Sequence, residues 1–280
     1  MVKIVADTTS GLPLDLADRL GIAMIPQIVI FGEESYRDDT ELDTGTFLRK
    51  LRASAALPKT AAPPPALYNP IYEEAARRGD SVVVVAPSSK VSGTVRAASV
   101  AAQDFPNLEV HVVDSQTIAG NLASLVLLAH EWAGSGLEAA AIVARLNEWI
   151  PRGRIFFLVD TLEYLQKGGR IGGAKALLGE MLQIKPILTI RAGQVEAFEQ
   201  QRTKRRAVAR LIEIVEEQCP PSAADSRLCV MQIEAEEEAR ALAADLGSRI
   251  GLADIPIYQL PPAIAVHAGP GVIAVGFFAA

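Results

Sequence analysis

The stretch Val82-Val83-Val84-Val85-Ala86-Pro87-Ser88-Ser89-Lys90-Val91-Ser92-Gly93-Thr94 constrains this chain more than any other. An all-apolar run of strand length empties into a loop with four hydroxyls, and a helix-like segment follows. A strand that ends at a helix N-terminus presents free backbone N–H groups and the positive end of the helix dipole. Such a junction suits an anion, and Ser92 and Thr94 add neutral donors beside it. The loop lacks nucleotide-binding machinery and fits a small, weakly charged head group such as a carboxylate. The plainer alternative is that Ser88, Ser89 and Ser92 only cap the helix. Both readings stand on the local sequence.

A chain of 280 residues can bury a sizeable core in one large or two modest domains. Half of it is apolar but only 5% aromatic, which predicts an aliphatic core of the kind found in packed α/β layers. A formal charge of −6 argues against non-specific nucleic-acid binding, which needs a basic surface. Cys219 and Cys229 match neither a CxxC pair nor a zinc spacing, in keeping with a reduced setting. The N-terminus reads as an immediate strand with no signal peptide, and no apolar segment reaches the length of a membrane span. The expectation is a cytoplasmic protein without stable membrane insertion.

Strand-like runs at residues 3–6, 22–31, 82–86 and 109–113 alternate with helical runs at 46–55, 65–78, 94–104 and 120–133. That alternation predicts an α/β N-terminal domain with a mostly parallel sheet covered on both faces. Ligands in such sheets gather at the carboxyl ends of strands. Three polar turns fall there, at residues 7–10, 88–94 and 114–117. The second half reads as strands at 154–159, 187–191, 194–198, 228–233, 255–259 and 272–278, with amphipathic helices at 204–218 and 236–250. Ala192-Gly193 is a two-residue hairpin signal, so the second α/β domain is expected to hold a mixed sheet. Ile150-Pro151-Arg152-Gly153 has the composition of a hinge, which divides the chain into residues 1–150 and 151–280.

A P-loop requires GxxxxGK[ST] straight after a strand. Gly168 and Gly173 have the spacing, but Ala174 follows, and a short helix rather than a strand precedes them. No intact GxGxxG occurs, so the chain is expected to carry no nucleotide cofactor of its own. Ser92, His267 and Asp7 or Asp114 can be assembled into a triad on paper, yet the GxSxG elbow is absent. His111, His130 and His267 are scattered and no metal-ligand cluster is apparent. His267 stands out because Gly269-Pro270-Gly271 follows it, in what reads as a turn after a strand-like run; glycines there let backbone approach a ligand. Arg170 among glycines has little local packing to justify it. Arg202 begins a basic run that is either a solvated helix start or a surface steering a phosphate-bearing partner.

Several of these motifs, in this order and spacing, resemble the DegV family of bacterial fatty-acid-binding proteins. They are Asp7-Thr8-Thr9, Pro58-Lys59-Thr60, residues 88–94, Asp114-Ser115 with Gly120, Leu165-Gln166-Lys167-Gly168-Gly169-Arg170-Ile171-Gly172 running on to Ile184-Lys185-Pro186-Ile187-Leu188, and His267-Ala268-Gly269-Pro270-Gly271. The resemblance implies a two-domain α/β protein holding one long-chain fatty acid in a tunnel between the domains. It implies that Thr60, Ser92, the backbone near Gly93 and His267 meet the carboxylate, with Arg170 and Arg202 touching head group or partner. It further implies a non-enzymatic acyl-carrying subunit of fatty acid kinase, whose separate ATP-binding subunit makes an acyl phosphate for phospholipid synthesis. The family's hydroxyl after Thr60 and glutamine before the proline are here Ala61 and Ala62. A stand-alone acyl esterase using Ser92, or a binding module for another small anion, are the alternatives.

Overall fold

In the computed structural model, which describes residues 1–179 and 184–280, the strand Ser81–Ala86 is the spine of the first sheet. Its neighbours Val2–Asp7 and Val110–Asp114 run parallel to it, and Ala23–Ile25 completes the order 23–25, 2–7, 81–86, 110–114. Val82 and Val84 pack on one face with helices Asn69–Arg78 and Thr94–Ala102. Val83 and Val85 pack on the other with helices Ala119–Gly134 and Ala139–Trp149. An unbroken valine run is what a parallel strand covered on both faces requires.

Through a 3₁₀ turn at Ile150–Arg152 the chain enters a six-stranded mixed sheet. Its order is Gln194–Gln201, Lys185–Arg191, Gly153–Leu158, Val272–Phe278, Cys229–Ile233, Ile257–Gln259, and only the last pair is parallel. The hairpin at Ala192-Gly193 forms as its sequence predicts. One face of this sheet packs on the amphipathic helices Lys204–Gln218 and Glu236–Ile250. The other carries Ile155, Phe157, Met231, Val272 and Ala274 and looks toward the carboxyl-end loops of the parallel sheet.

Three local expectations need correction. The run 22–31 is not one strand. Pro26 has no N–H to continue a ladder, and Gln27 buries a polar side chain, so Ile28–Phe31 leaves the parallel sheet. It forms instead the middle of a small antiparallel sheet with Glu34–Arg37 and Lys59–Ala61. The run 65–78 is not one helix: a 3₁₀ turn at Pro65–Tyr68 precedes helix Asn69–Arg78, because Pro70 has no N–H to carry an α-helical ladder through the junction. His267 does not follow a strand: it sits in the last turn of helix Pro262–Ala268, where Pro262 pre-sets the first turn and outweighs the β-branched Ile264 and Val266. The short sheet shares a hydrophobic cluster with the mixed sheet through Val29, and with helix Thr44–Ala53 through Phe47 and Leu51. It thereby clamps Thr60 over the space between the two large sheets.

Candidate functional site

That space is a cavity of about 920 Å³, counting its open mouth. Apolar side chains make most of its wall, among them Ile118, Ile155, Phe157, Leu165, Val195, Met231 and Leu260. The polar lining is Thr9, Gln27, Thr60, Ser92, Arg170 and His267, together with the backbone at Gly93. The structure therefore brings Thr60, Ser92, Gly93, Arg170 and His267 to one cavity. Arg202 is not among its lining residues; it lies exposed just past strand Gln194–Gln201.

The register of the small sheet, with Thr60 opposite Val29, aims Thr60 at the helix that bears His267. Thr60 Oγ1 lies 2.8 Å from His267 Nε2. Burial, and secondarily the charge of Arg170, push the imidazole down to about 4, so it is neutral near pH 7. Its Nδ1 is buried with no hydrogen-bond partner among the described residues. A neutral ring places its one proton where an acceptor exists, which assigns it to Nε2 donating to Thr60 Oγ1. The Thr60 hydroxyl hydrogen is then free to point into the cavity.

Nδ1 has no partner because Gly168 covers it. A Cβ on Gly168 would stand 2.2 Å from Nδ1 and 2.9 Å from the Tyr164 carbonyl oxygen. Gly168→Ala is therefore expected to force His267 off Thr60, at a cost of about 1–3 kcal/mol for overpacking. The His267 ring resonances should shift and its pKa should climb toward the ordinary histidine value; NMR titration of an unaltered ring would contradict this geometry. The Gly269-Pro270-Gly271 turn serves packing rather than ligand approach, which corrects the expectation from sequence. Cβ atoms at Gly269 and Gly271 would meet the Tyr164 ring at 2.4 Å and the Asp160 carboxylate at 2.1 Å, and both residues have positive φ.

The hydroxyls of the 88–94 loop divide their labour. Ser88 Oγ donates to the Gly193 carbonyl at 2.7 Å and ties the loop to the hairpin of the mixed sheet. Ser89 Oγ donates to Asp114 at 2.5 Å. The helix N-cap is Gly93, which has no side chain to cap with, and of the three serines only Ser92 meets a helix N–H, that of Thr94, so capping accounts for neither Ser88 nor Ser89. Thr94 Oγ1 donates to Asp7 Oδ2 at 2.7 Å and accepts from Gln27 Nε2 at 2.9 Å. Ser92 Oγ, 3.0 Å from Thr94 Oγ1, accepts from the Thr94 N–H and keeps its own hydrogen to turn toward Thr94 or into the cavity.

Asp7 anchors this chain of hydroxyls. Its carboxylate also accepts from Thr9 N–H and Oγ1 and from Gln27 Nε2. Burial pushes its pKa up against the pull of those donors. Nearby, Asp38 Oδ1 accepts from Thr8 Oγ1 and the Gln27 N–H, and its Oδ2 has no partner among the described residues. Burial drives Asp38 up to about 7. Gln27 and Asp38 were not singled out from sequence. A lone glutamine after proline inside an apolar run was the available signal for the first. Asp38, in the run Arg37-Asp38-Asp39-Thr40, gives none.

Arg170 bridges the two halves. Its Nε donates to the Val91 carbonyl at 3.2 Å and its Nη1 to the Gly168 carbonyl at 2.8 Å, while the side chain lines the cavity. Ala62, one of the two alanines that depart from the family pattern, lines the cavity and would lie 3.0 Å from a Cβ on Gly93. Its small size leaves room beside the hydroxyls. Among the described residues no cluster of His, Cys, Asp or Glu is assembled to hold a metal ion, and no helix is long and apolar enough to cross a membrane.

Fold and site together define a two-domain α/β binding architecture, with an apolar cavity between a parallel and a mixed sheet and neutral donors gathered at one place on its wall. The chain belongs to the DegV family. The family's model, described as "Uncharacterised protein, DegV family", matches residues 1–280. A DegV domain-containing protein of Deinococcus radiodurans is 35% identical over 98% of this chain and 97% of its own length. Protein DegV of Bacillus subtilis is 30% identical over 98% of each chain. Among solved structures, one described as fatty acid binding of a DegV family protein from Thermus thermophilus superposes with a TM-score of 0.89 at 34% identity, covering 100% of this chain and 99% of that one. The structure of DegV from Bacillus subtilis, described as a fatty acid binding protein, has a TM-score of 0.89 at 30% identity and covers 99% of both chains.

Proposed function

We propose that this chain binds one long-chain fatty acid and presents its carboxylate to a separate ATP-dependent kinase subunit, which converts it to an acyl phosphate. The observation that carries the reading is the segregation of the cavity wall: long apolar stretches, and a compact group of donors at Thr60, Ser92, Arg170 and His267. Withdrawing a carboxylate from water is costly unless its lone pairs are satisfied. The Thr60 hydroxyl hydrogen, the Ser92 hydrogen once it turns from Thr94 to the ligand, and backbone near Gly93 meet that need, and Arg170 supplies a positive charge. Each methylene of the tail gains about 0.8 kcal/mol on burial. Relatives described as fatty acid binding, at 34% and 30% identity over nearly the whole chain, support the same ligand.

The pairing of side chains favours binding over ester hydrolysis by Ser92. His267 is engaged with Thr60, and Ser92 with Thr94, so the nucleophile–base bond of a triad is not made. Phosphoryl transfer needs a nucleotide and magnesium, and the sequence holds neither a P-loop nor an intact dinucleotide motif, in keeping with a partner that supplies them. Arg170 at the cavity and the exposed Arg202 are the candidate partner contacts. Organic extraction of purified protein followed by mass spectrometry is expected to release a long-chain fatty acid. Protein that is empty and takes up no such acid would end the proposal. For the second half of the reading, loaded protein mixed with a kinase subunit and labelled ATP should yield an acyl phosphate.

A further inference from the structure

The donors sit beside Val272, because helix Pro262–Ala268 and its glycine turn lead directly into strand Val272–Phe278. From there the register of the mixed sheet lays out the cavity floor in rows. Two residues along, Ala274 stands between Phe157 and Met231, and all three line the cavity. Two residues further, Gly276 stands opposite Ile155 and Cys229. At roughly 3.4 Å per residue this row lies about 14 Å beyond Val272.

The floor closes at that row. Gly276 has no side chain, and its place is taken by Asn121, whose Oδ1 would lie 2.1 Å from a Cβ there. Asn121 is itself fixed by donating to the carbonyls of Arg154 and Phe277. Ile155 is the residue of the row that still lines the cavity. It also lines a second cavity, of about 1060 Å³ including open space, where Gln116, Thr117, Arg154 and Thr189 stand beside Ile150, Ile190 and Phe198. This second space exists because strands Gly153–Leu158 and Lys185–Arg191 part company there. They pair only at Phe156 with Thr189 and Phe157 with Leu188. Thr189 Oγ1 donates to the Ile155 carbonyl at 2.8 Å and closes the fork, and Thr117 Oγ1 is buried without a partner among the described residues.

From this juxtaposition we infer that Ile155 is the end wall of the acyl cavity and sets the longest chain that it accepts. The inference rests on the fatty-acid reading above. A methyl terminus that reaches Ile155 remains among apolar side chains, whereas one pushed past it enters a wider space shared with Gln116, Arg154, Thr189 and Gln218, where each further methylene gains less from burial. Chain-length preference is then set at the one apolar side chain that separates the two cavities, and not by the head-group donors.

The test uses the delipidated full-length chain and a homologous series of straight-chain saturated fatty acids, each competed against a fluorescent acid. In the wild type, affinity should rise about fourfold for each added methylene and then stop at a cut-off length. Ile155→Ala removes three carbons and should move the cut-off outward by roughly two to three methylenes. Ile155→Phe should move it inward, which keeps the test decisive if the alanine variant folds poorly. Equal cut-offs in three proteins that all bind acid overturn the role of Ile155 and leave the binding reading intact. A wild type that binds no member of the series overturns both.

Discussion

Thr60→Val combined with Ser92→Ala is expected to lower fatty-acid affinity by about 10²- to 10⁴-fold, the loss of two hydrogen bonds to a charged group. Each substitution removes a hydroxyl that the network leaves free to donate. Thr60 accepts from His267 Nε2 and so turns its own hydrogen outward. Ser92 accepts from the Thr94 N–H, and Thr94 spends its hydrogen on Asp7, so the Ser92 hydrogen rests on Thr94 Oγ1 and is the one on that side that can turn to a ligand. Thr60→Val is nearly isosteric and leaves the small sheet intact, although the His267 N–H then loses its acceptor. Thr60→Ser should restore most of the affinity, since it keeps the donor and loses only a methyl. Acid retained per protein, read by extraction, and competition binding together measure the effect, with chemical denaturation as the check on folding. Unchanged retention in the double variant would remove both residues from the head-group site.

The parts of the fold that were legible in the sequence are those where one strong signal governs a long segment. The valine run of residues 82–85 could only be a strand covered on both faces, and the helices at 204–218 and 236–250 match their apolar periodicity to the residue. The small antiparallel sheet was not legible, because its strands are three or four residues long and are held by contacts distant in sequence. Propensity cannot see such pairing, and the β-branched residues of 22–31 masked the break at Pro26-Gln27. At the site only Ser92 lies in a turn at a strand end; Thr60 is held by the small sheet and Arg170 follows helix Glu163–Lys167, so their convergence depends on tertiary packing. The helix under His267 was hidden by Ile264 and Val266, which read as strand. Gln27 and Asp38 show the opposite limit. Their side chains are buried by the crossing of two sheets, and composition along the chain carries no record of that crossing.

The pH dependence of stability of the ligand-free protein between about pH 4 and pH 7 is expected to be a difference of opposing slopes, with buried Asp38 and Asp7 on one side and buried His267 on the other. Asp38 titrates at about 7 in the folded protein against 3.8 when unfolded. Within that window the folded state binds more protons than the unfolded one, so Asp38 makes stability fall as pH rises. Burial shifts Asp7 in the same direction and adds to this slope. His267 titrates at about 4 when folded against 6.5 when unfolded. Between those values the unfolded state binds more protons, so His267 makes stability rise with pH. Each shift of this size corresponds to a few kcal/mol at about 1.4 kcal/mol per pKa unit. Asp38→Asn should therefore leave a chain that loses stability on acidification below pH 6.5, with the histidine less opposed. His267→Gln should do the reverse and leave a chain that grows more stable as pH falls from 7 toward 4. Chemical denaturation of the two variants across the window decides the matter. Parallel pH profiles would show that these groups are not buried as the fold places them, and with that the neutral imidazole that turns the Thr60 hydroxyl into the cavity would lose its basis.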